Sequence, residues 1–299
     1  MSEPRAITAL LDGLVDFAGL FPPAALTMAD AVAAHARYVV GAERAKLGRF
    51  VVPVARLEEL VAAVDALPEE IRPRSNAPWR LSVLAGAADA AALQAFDAAH
   101  GGRLVIDTVE AKAETAAAIE ALGAALGRRY SLYVEIPLRD DPAALVAAIK
   151  SQDFRAKVRT GGVVTEAFPA PAEVLRFLVA CVDAQVPFKA TAGLHHPLRG
   201  EFPLTYATDS ARGTMFGFLN VFLAAVLLHA RAPREELVAL LEERDPGAIR
   251  ADDAGIRWRG LGVTTAQIAA ARATFVGSFG SCSFEEPVRE LTSLPLARP

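Results

Sequence analysis

Cysteine, net positive charge and long apolar runs are all scarce in this chain, and each shortage removes a class of protein. Two cysteines occur in 299 residues, Cys181 in an apolar helical stretch and Cys282 in a Gly/Ser-rich turn, and neither has a CxxC partner. That usage suits a reducing cytoplasm. With 31 basic against 35 acidic residues the formal charge is -4, so no broad positive field exists for nucleic acid or an anionic membrane surface. The one long apolar stretch, Met215–Leu228, falls short of the roughly 20 residues of a membrane-spanning helix. It also contains Asn220 and stops at His229, so it reads as a buried or interface helix. Residues 1–15 carry Glu3 and Asp12 and lack the basic start, apolar run and cleavage site of an export signal. No GxGxxG, GxxxxGK[ST], GxSxG or HExxH occurs, which leaves dinucleotide, P-loop, serine-hydrolase and zincin chemistry without their usual signatures.

Material for a large core is plentiful, at 53% hydrophobic residues. Short β-branched or aromatic runs alternate with alanine-rich helical runs, the pattern of repeated β-α units around a parallel sheet. Candidate strands are 15–20, 48–54, 79–85, 103–109, 131–137, 155–161 and 187–193. Thr27 with Asp30 predicts the start of a helix through Tyr38, Asp141-Pro142 opens another, and Gly127 ends one that begins near Lys112. Seven parallel strands leave an edge that an eighth closes, and 275–280 is the best candidate. The expected fold is α/β, one (β/α)8 TIM-type barrel domain over 1–299, since such barrels run to about 250 residues or more as single domains. Residues 200–274 then form an insertion between strands seven and eight: an apolar helix over 211–230, a helix near 233–243 and a hairpin around Asp252–Gly255. Residues 73–78 read as a loop.

Alternate residues of a barrel strand face its interior, so Lys157 and Arg159 point inward together, and Lys189, Thr191 and Gly193 do so on the next strand. The same count places Asp107 and Glu135 in the inward registers of strands four and five. Two readings compete. A structural ion network would pair Lys157 with Glu135 and Lys189 with Asp107. A catalytic reading follows from location, because active sites of this fold assemble at the C-terminal strand ends, where ionisable groups converge. A lysine with a pKa of about 10.4 is protonated at neutral pH and cannot attack a carbonyl. Burial and a neighbouring cation both favour its neutral form.

Lys157 in AKVRTGG, Lys189 in PFKATAG and the FGSCS turn at 279–283 resemble the last three strands of deoxyribose-phosphate aldolases. The resemblance spans roughly 155–193 and 275–283. It implies that Lys157 is a Schiff-base nucleophile, that Lys189 is its electrostatic partner, and that the Gly-Ser turn binds phosphate. Arg159 stands where that family has a small polar residue, and His195-His196-Pro197 replaces its glycine-rich turn. Those departures point to a carboxylate or another planar anion, which the arginine fork suits and which the amides of Gly161 and Gly162 can approach.

Other residues carry paired readings. His195 and His196 with Asp107, Glu135 or Asp16 offer an N/O set for a divalent metal, but adjacent side chains of an extended segment point apart. One imidazole as a general acid/base is the simpler role. Asp16, before a double proline, either caps its loop or faces the cavity. Ser283 with Glu286 is spaced as a capping box, while the amides around Ser281 and Ser283 suit an anion. Cys282 has no base within its motif. The sequence thus predicts a carbon-carbon lyase working through a Lys157 imine on a small anionic carbonyl substrate, with no cofactor. Lys189, Asp107, Glu135 and His195 serve the chemistry, and Arg159, Gly161, Gly162, Thr191, His196, Asp16, Ser281 and Ser283 the substrate. The rivals are a metal-dependent lyase or hydrolase and a non-catalytic barrel that holds a small anion. The apolar insertion helix would also suit a homodimer contact.

Overall fold

A computed structural model describes residues 3–72, 77–294 and 296. The loop expected at 73–78 lies outside the described residues except for Ala77 and Pro78. Seven strands precede residue 200: β1 (Val15–Phe17), β2 (Leu47–Pro53), β3 (Trp79–Leu84), β4 (Leu104–Lys112), β5 (Ser131–Glu135), β6 (Arg155–Arg159) and β7 (Phe188–Thr191). Two small antiparallel sheets follow, β8 (Gly200–Pro203) with β9 (Arg212–Met215), then β10 (Ile249–Ala251), β11 (Gly255–Trp258) and β12 (Leu261–Thr264). Strand β13 (Val276–Ser281) lies between β7 and β1 and closes an eight-stranded parallel barrel. The helices are α1 (Arg5–Leu11), α2 (Met28–Tyr38), α3 (Leu57–Asp65), α4 (Ala90–His100), α5 (Ala116–Leu126), α6 (Ala143–Ser151), α7 (Pro171–Asp183), α8 (Phe218–His229), α9 (Leu237–Leu241), α10 (Thr265–Thr274) and α11 (Glu285–Ser293). The fold is therefore the expected (β/α)8 TIM-type barrel.

Local chemistry explains the boundaries. The Thr27 hydroxyl accepts from the Asp30 amide at 3.2 Å and starts α2. Asp141 Oδ1 accepts from the Ala143 amide at the head of α6, and Gly127, at φ 60°, ends α5. Helix α10 opens on a reciprocal box between Thr264 and Gln267. The helix expected near Lys112 begins only at Ala116, because β4 runs on through Lys112.

The insertion differs from expectation in its first third. Residues 212–215 are not helical but form the second strand of the β8-β9 hairpin, and α8 starts at Phe218. Every residue of α8 from Phe218 to Leu228 is buried, against α7, α9, α10 and the barrel strand β13. The apolar run is thus satisfied within the chain, which removes the motive for assigning it to a dimer contact. Asn220, wholly buried, ties the helix in place: its amide donates to the Leu240 and Glu243 carbonyls and its carbonyl accepts from the Arg199 amide. Among the described residues no helix is long and apolar enough to cross a membrane.

One buried group makes stability depend on pH. His35 of α2 lies between α2 and the barrel, with its ring 4.5 Å from that of Trp79 and 5.3 Å from that of Phe50. Its Nδ1 has no hydrogen-bond partner, and burial pushes its pKa down from 6.5 to about 3. A depressed folded pKa means that below 6.5 the unfolded chain takes up a proton that the folded chain refuses. Stability is full above 6.5 and falls, at about 1.4 kcal/mol per pH unit, as the pH drops toward 3. His35→Phe is therefore expected to flatten the urea-unfolding free energy between pH 7 and 5 relative to the parent. Parallel pH profiles for the two proteins would refute the assignment.

Candidate active site

The barrel interior holds a column of charges of alternating sign, set by strand register. Glu135 pairs in register with Lys157, and Lys157 with Lys189, while Ala156, Val158 and Ala190 face the helices. Lys189 Nζ lies 2.6 Å from Asp16 Oδ2 on β1 and 2.5 Å from Glu110 Oε1 on β4. Glu110 Oε2 lies 2.7 Å from Lys157 Nζ, which is also 2.7 Å from Glu135 Oε2. Arg159 Nε continues the column at 3.3 Å from Glu135 Oε1. Hydroxyls complete the set: Ser82 Oγ donates to Glu110 Oε1 and Ser278 Oγ to Asp16 Oδ2, each at 2.6 Å. Gly48 is required beside it, since a Cβ there would lie 2.2 Å from Asp16 Oδ1.

The charges settle each other's protonation. Burial favours neutral Asp16 and Glu110, but the ammonium groups beside them outweigh it and hold both carboxyls below the usual carboxylate range. Glu135 is lowered in the same way, burial being outweighed by Lys157 first and Arg159 next. Burial likewise opposes the Lys189 ammonium, yet Asp16 and Glu110 raise its pKa above the ordinary lysine value. Lys189 is a fixed cation.

Above this column, at the C-terminal mouth, lies a cavity of about 240 Å³. Lys157 and Glu110 border it, with Arg159, Thr191, His195 and Cys282 around them and Phe21, Pro22 and Val51 as apolar wall. Of the expected site residues, Lys157, Arg159, Gly162, Thr191 and His195 line it. Lys189 and Asp16 lie beneath, wholly or nearly wholly buried and touching the lining through Glu110. Glu135 faces an adjacent groove shared with Arg159, Lys112 and Glu173.

Five expected residues are elsewhere. Asp107 pairs with Arg49 and Arg80, each at 2.6 Å, and borders a cleft formed by the segments that lead into β5, β6 and β7, toward the opposite mouth. The cause is a register shift in β4: Leu81 pairs with Ile106 but Ser82 with Thr108. The extra residue changes the inward parity from odd to even, so Glu110 takes the position expected of an acid on this strand. Gly161 packs on Phe168, whose ring would lie 2.4 Å from a Cβ there, so its bareness serves packing rather than an anion. His196 turns away from His195, stacks on Phe202 and meets Glu290 Oε2 at 2.8 Å through Nδ1. Ser281 sits on the helix-facing side of β13 in register with Phe17, its hydroxyl buried and without a hydrogen-bond partner. Ser283 Oγ caps α11 by accepting from the Glu286 amide at 3.1 Å, but the Glu286 side chain leaves the cap for His195 and Tyr206.

The expected metal set of His195 and His196 with Asp107, Glu135 or Asp16 is not assembled. Among the described residues, His196, Glu286 and Glu290 alone bring three such ligand atoms within 4.8 Å of one another. His196 and Glu290 already satisfy each other there, and no metal is assigned to the group. Glu110, Arg49 and Tyr206 escaped the sequence reading. Only the register shift reveals Glu110, and no local signal marks the other two. No protein-family model matches the chain, and no curated protein matches it significantly.

Replacing one partner of a buried ion pair leaves the other charge uncompensated, at a cost of about 3–5 kcal/mol. Glu110→Gln is expected to lose stability on that scale in urea unfolding at pH 7. Because the folded pKa of Glu110 is depressed, its contribution is full above the unfolded value of 4.5 and is lost progressively as the pH falls from there toward the much lower folded value. The stability gap between parent and Glu110→Gln should therefore narrow at pH 3; a gap that is constant with pH would contradict the pairing.

Proposed function

We propose that the protein is a carbon-carbon lyase that works through an imine on Lys157 and acts on a small carbonyl compound carrying an anionic group. The observation that supports it most is the position of the Lys157 amine, at the boundary between the charge column and the mouth cavity, between two carboxylates at 2.7 Å. Lys157 is the lysine among the described lining residues of that cavity.

The chemistry follows from the neighbours. Glu135 relays a proton from the Lys157 ammonium to the arriving carbonyl oxygen, and the freed amine adds to the substrate carbonyl carbon. Its π electrons pass to oxygen, which leaves as water after protonation. In the iminium so formed the nitrogen accepts the electron pair of the breaking carbon-carbon bond. Lys189, held cationic beneath, fixes Glu110 as the anion that positions the Lys157 amine at the cavity floor. Arg159, 47% exposed by its side chain at the cavity rim, offers its fork to the anionic group. His195, on the wall, stands where a proton is exchanged with substrate. The pairing of every charge in the column also supports a second reading, an anion-binding barrel without turnover, in which the lysines only shape the field. Two free, buried cysteines make the cytoplasm the proposed setting.

Borohydride added to the protein with small 2-oxo acids or aldehydes is expected to fix a substrate-derived mass on the Lys157 peptide and none in Lys157→Met. Absence of any adduct on Lys157 sinks the imine and favours the binding barrel. With a turning-over substrate, Arg159→Leu should raise KM for anionic compounds by about 10- to 100-fold, in keeping with the loss of a charged hydrogen bond. A matched uncharged aldehyde should be little affected.

A further inference from the structure

The cavity has a second reactive wall, opposite in chemical character to its amine. Cys282 follows β13 directly and is 4% exposed, lining the cavity together with His195. Its sulfur lies 3.8 Å from His195 Nδ1, although 87 residues separate the two in sequence. The same nitrogen lies 3.4 Å from Glu286 Oε2 on α11, while Nε2 has no hydrogen-bond partner among the described residues. The Tyr206 hydroxyl, from the loop of the β8-β9 hairpin, comes within 3.7 Å of the sulfur and donates to Glu286 Oε2 at 3.1 Å. A thiol, an imidazole, a carboxylate and a phenol from three separate segments thus meet at one wall.

We propose that Cys282, with His195 as its base, is a second nucleophile of the cavity, and that it captures a soft carbon electrophile, the activated alkene of a small α,β-unsaturated carbonyl compound. The class follows from the lining. Sulfur prefers a polarisable carbon, the apolar wall of Phe21, Pro22 and Val51 suits a short carbon chain, and Arg159 and Lys157 suit the oxygen end. In the step, His195 Nδ1 takes the thiol proton and the sulfur pair forms a bond to the β-carbon. The alkene π pair moves toward the carbonyl oxygen, and the imidazolium returns the proton to the α-carbon. Atoms and charge balance without a further reactant. Burial alone would disfavour the His195 imidazolium, but Cys282 and Glu286 outweigh it and push its pKa up to about 9, so the imidazolium formed when the ring takes the thiol proton is stabilised in place. Burial raises the Tyr206 pKa, and Cys282 and Glu286 add to it, so the phenol remains a donor. Cys181, wholly buried in α7 with its thiol pKa pushed up, lacks every one of these features.

The test exposes the folded protein briefly to acrylamide at pH 7 and maps the modified peptides. Cys282 is expected to carry the adduct at least about tenfold faster than Cys181, and His195→Gln to slow it about tenfold while Cys181 stays silent. Equal rates at the two cysteines, or an unchanged Cys282 rate in His195→Gln, would overturn the proposal. If His195→Gln opens the fold, Cys181 will label as well. Glu286→Gln then takes its place, with a several-fold slower rate expected and an unchanged one fatal. The adduct on Cys282 and the borohydride adduct on Lys157 are read on different peptides, so either reading can fail without the other.

Discussion

Both oxygens of one carboxylate, Glu110, are bound to different buried ammonium groups, and most of the interior depends on that bridge. Lys157 and Lys189 come from neighbouring strands in matched register, so without an acid between them two cations would share a space with little water. A like-charged pair in a poorly polarisable interior is strongly unfavourable, and a single carboxylate touching both converts repulsion into two attractions. The arrangement extends in each direction, to Asp16 below and to Glu135 and Arg159 above, with Ser82 and Ser278 completing the hydrogen bonds. Each member is costly to bury alone and tolerable only in company.

The bridge also assigns different tasks to two chemically identical side chains. Lys189, clamped between Asp16 and Glu110 and 1% exposed, has no route to a ligand. Lys157, one strand over, sits where the column meets the mouth cavity. Depth along the barrel axis thus separates a source of field from a candidate reactant. The insertion adds the rest of the site, since its first hairpin carries Tyr206 to Cys282 and Glu286, and its helices cover α8.

Periodicity made the barrel legible. Strand after strand lies within a few residues of its hydrophobic run, because parallel strands covered by helices must be apolar, and capping residues such as Thr27 and Gly127 mark helix ends through local hydrogen bonds and backbone freedom. The inward placement of Lys157, Lys189 and Glu135 was legible for the same reason, as strict alternation holds in β5, β6 and β7. It fails in β4, where one additional residue reverses the faces and exchanges Asp107 for Glu110. It also fails beyond the strand ends, where the directions of His195, His196 and Ser283 depend on turns and on the helices packed around them.

What the sequence determined by itself is everything governed by near neighbours along the chain: the strand and helix order, the closed barrel and the two lysines facing inward. What only the tertiary structure decided is which acid bridges those lysines and which base meets Cys282, the latter 87 residues away. The physical reason is that a charge or proton partner is chosen by distance in space, at a few ångströms. A single added residue in one strand, or the path of one loop, changes that distance without leaving any mark in composition or spacing.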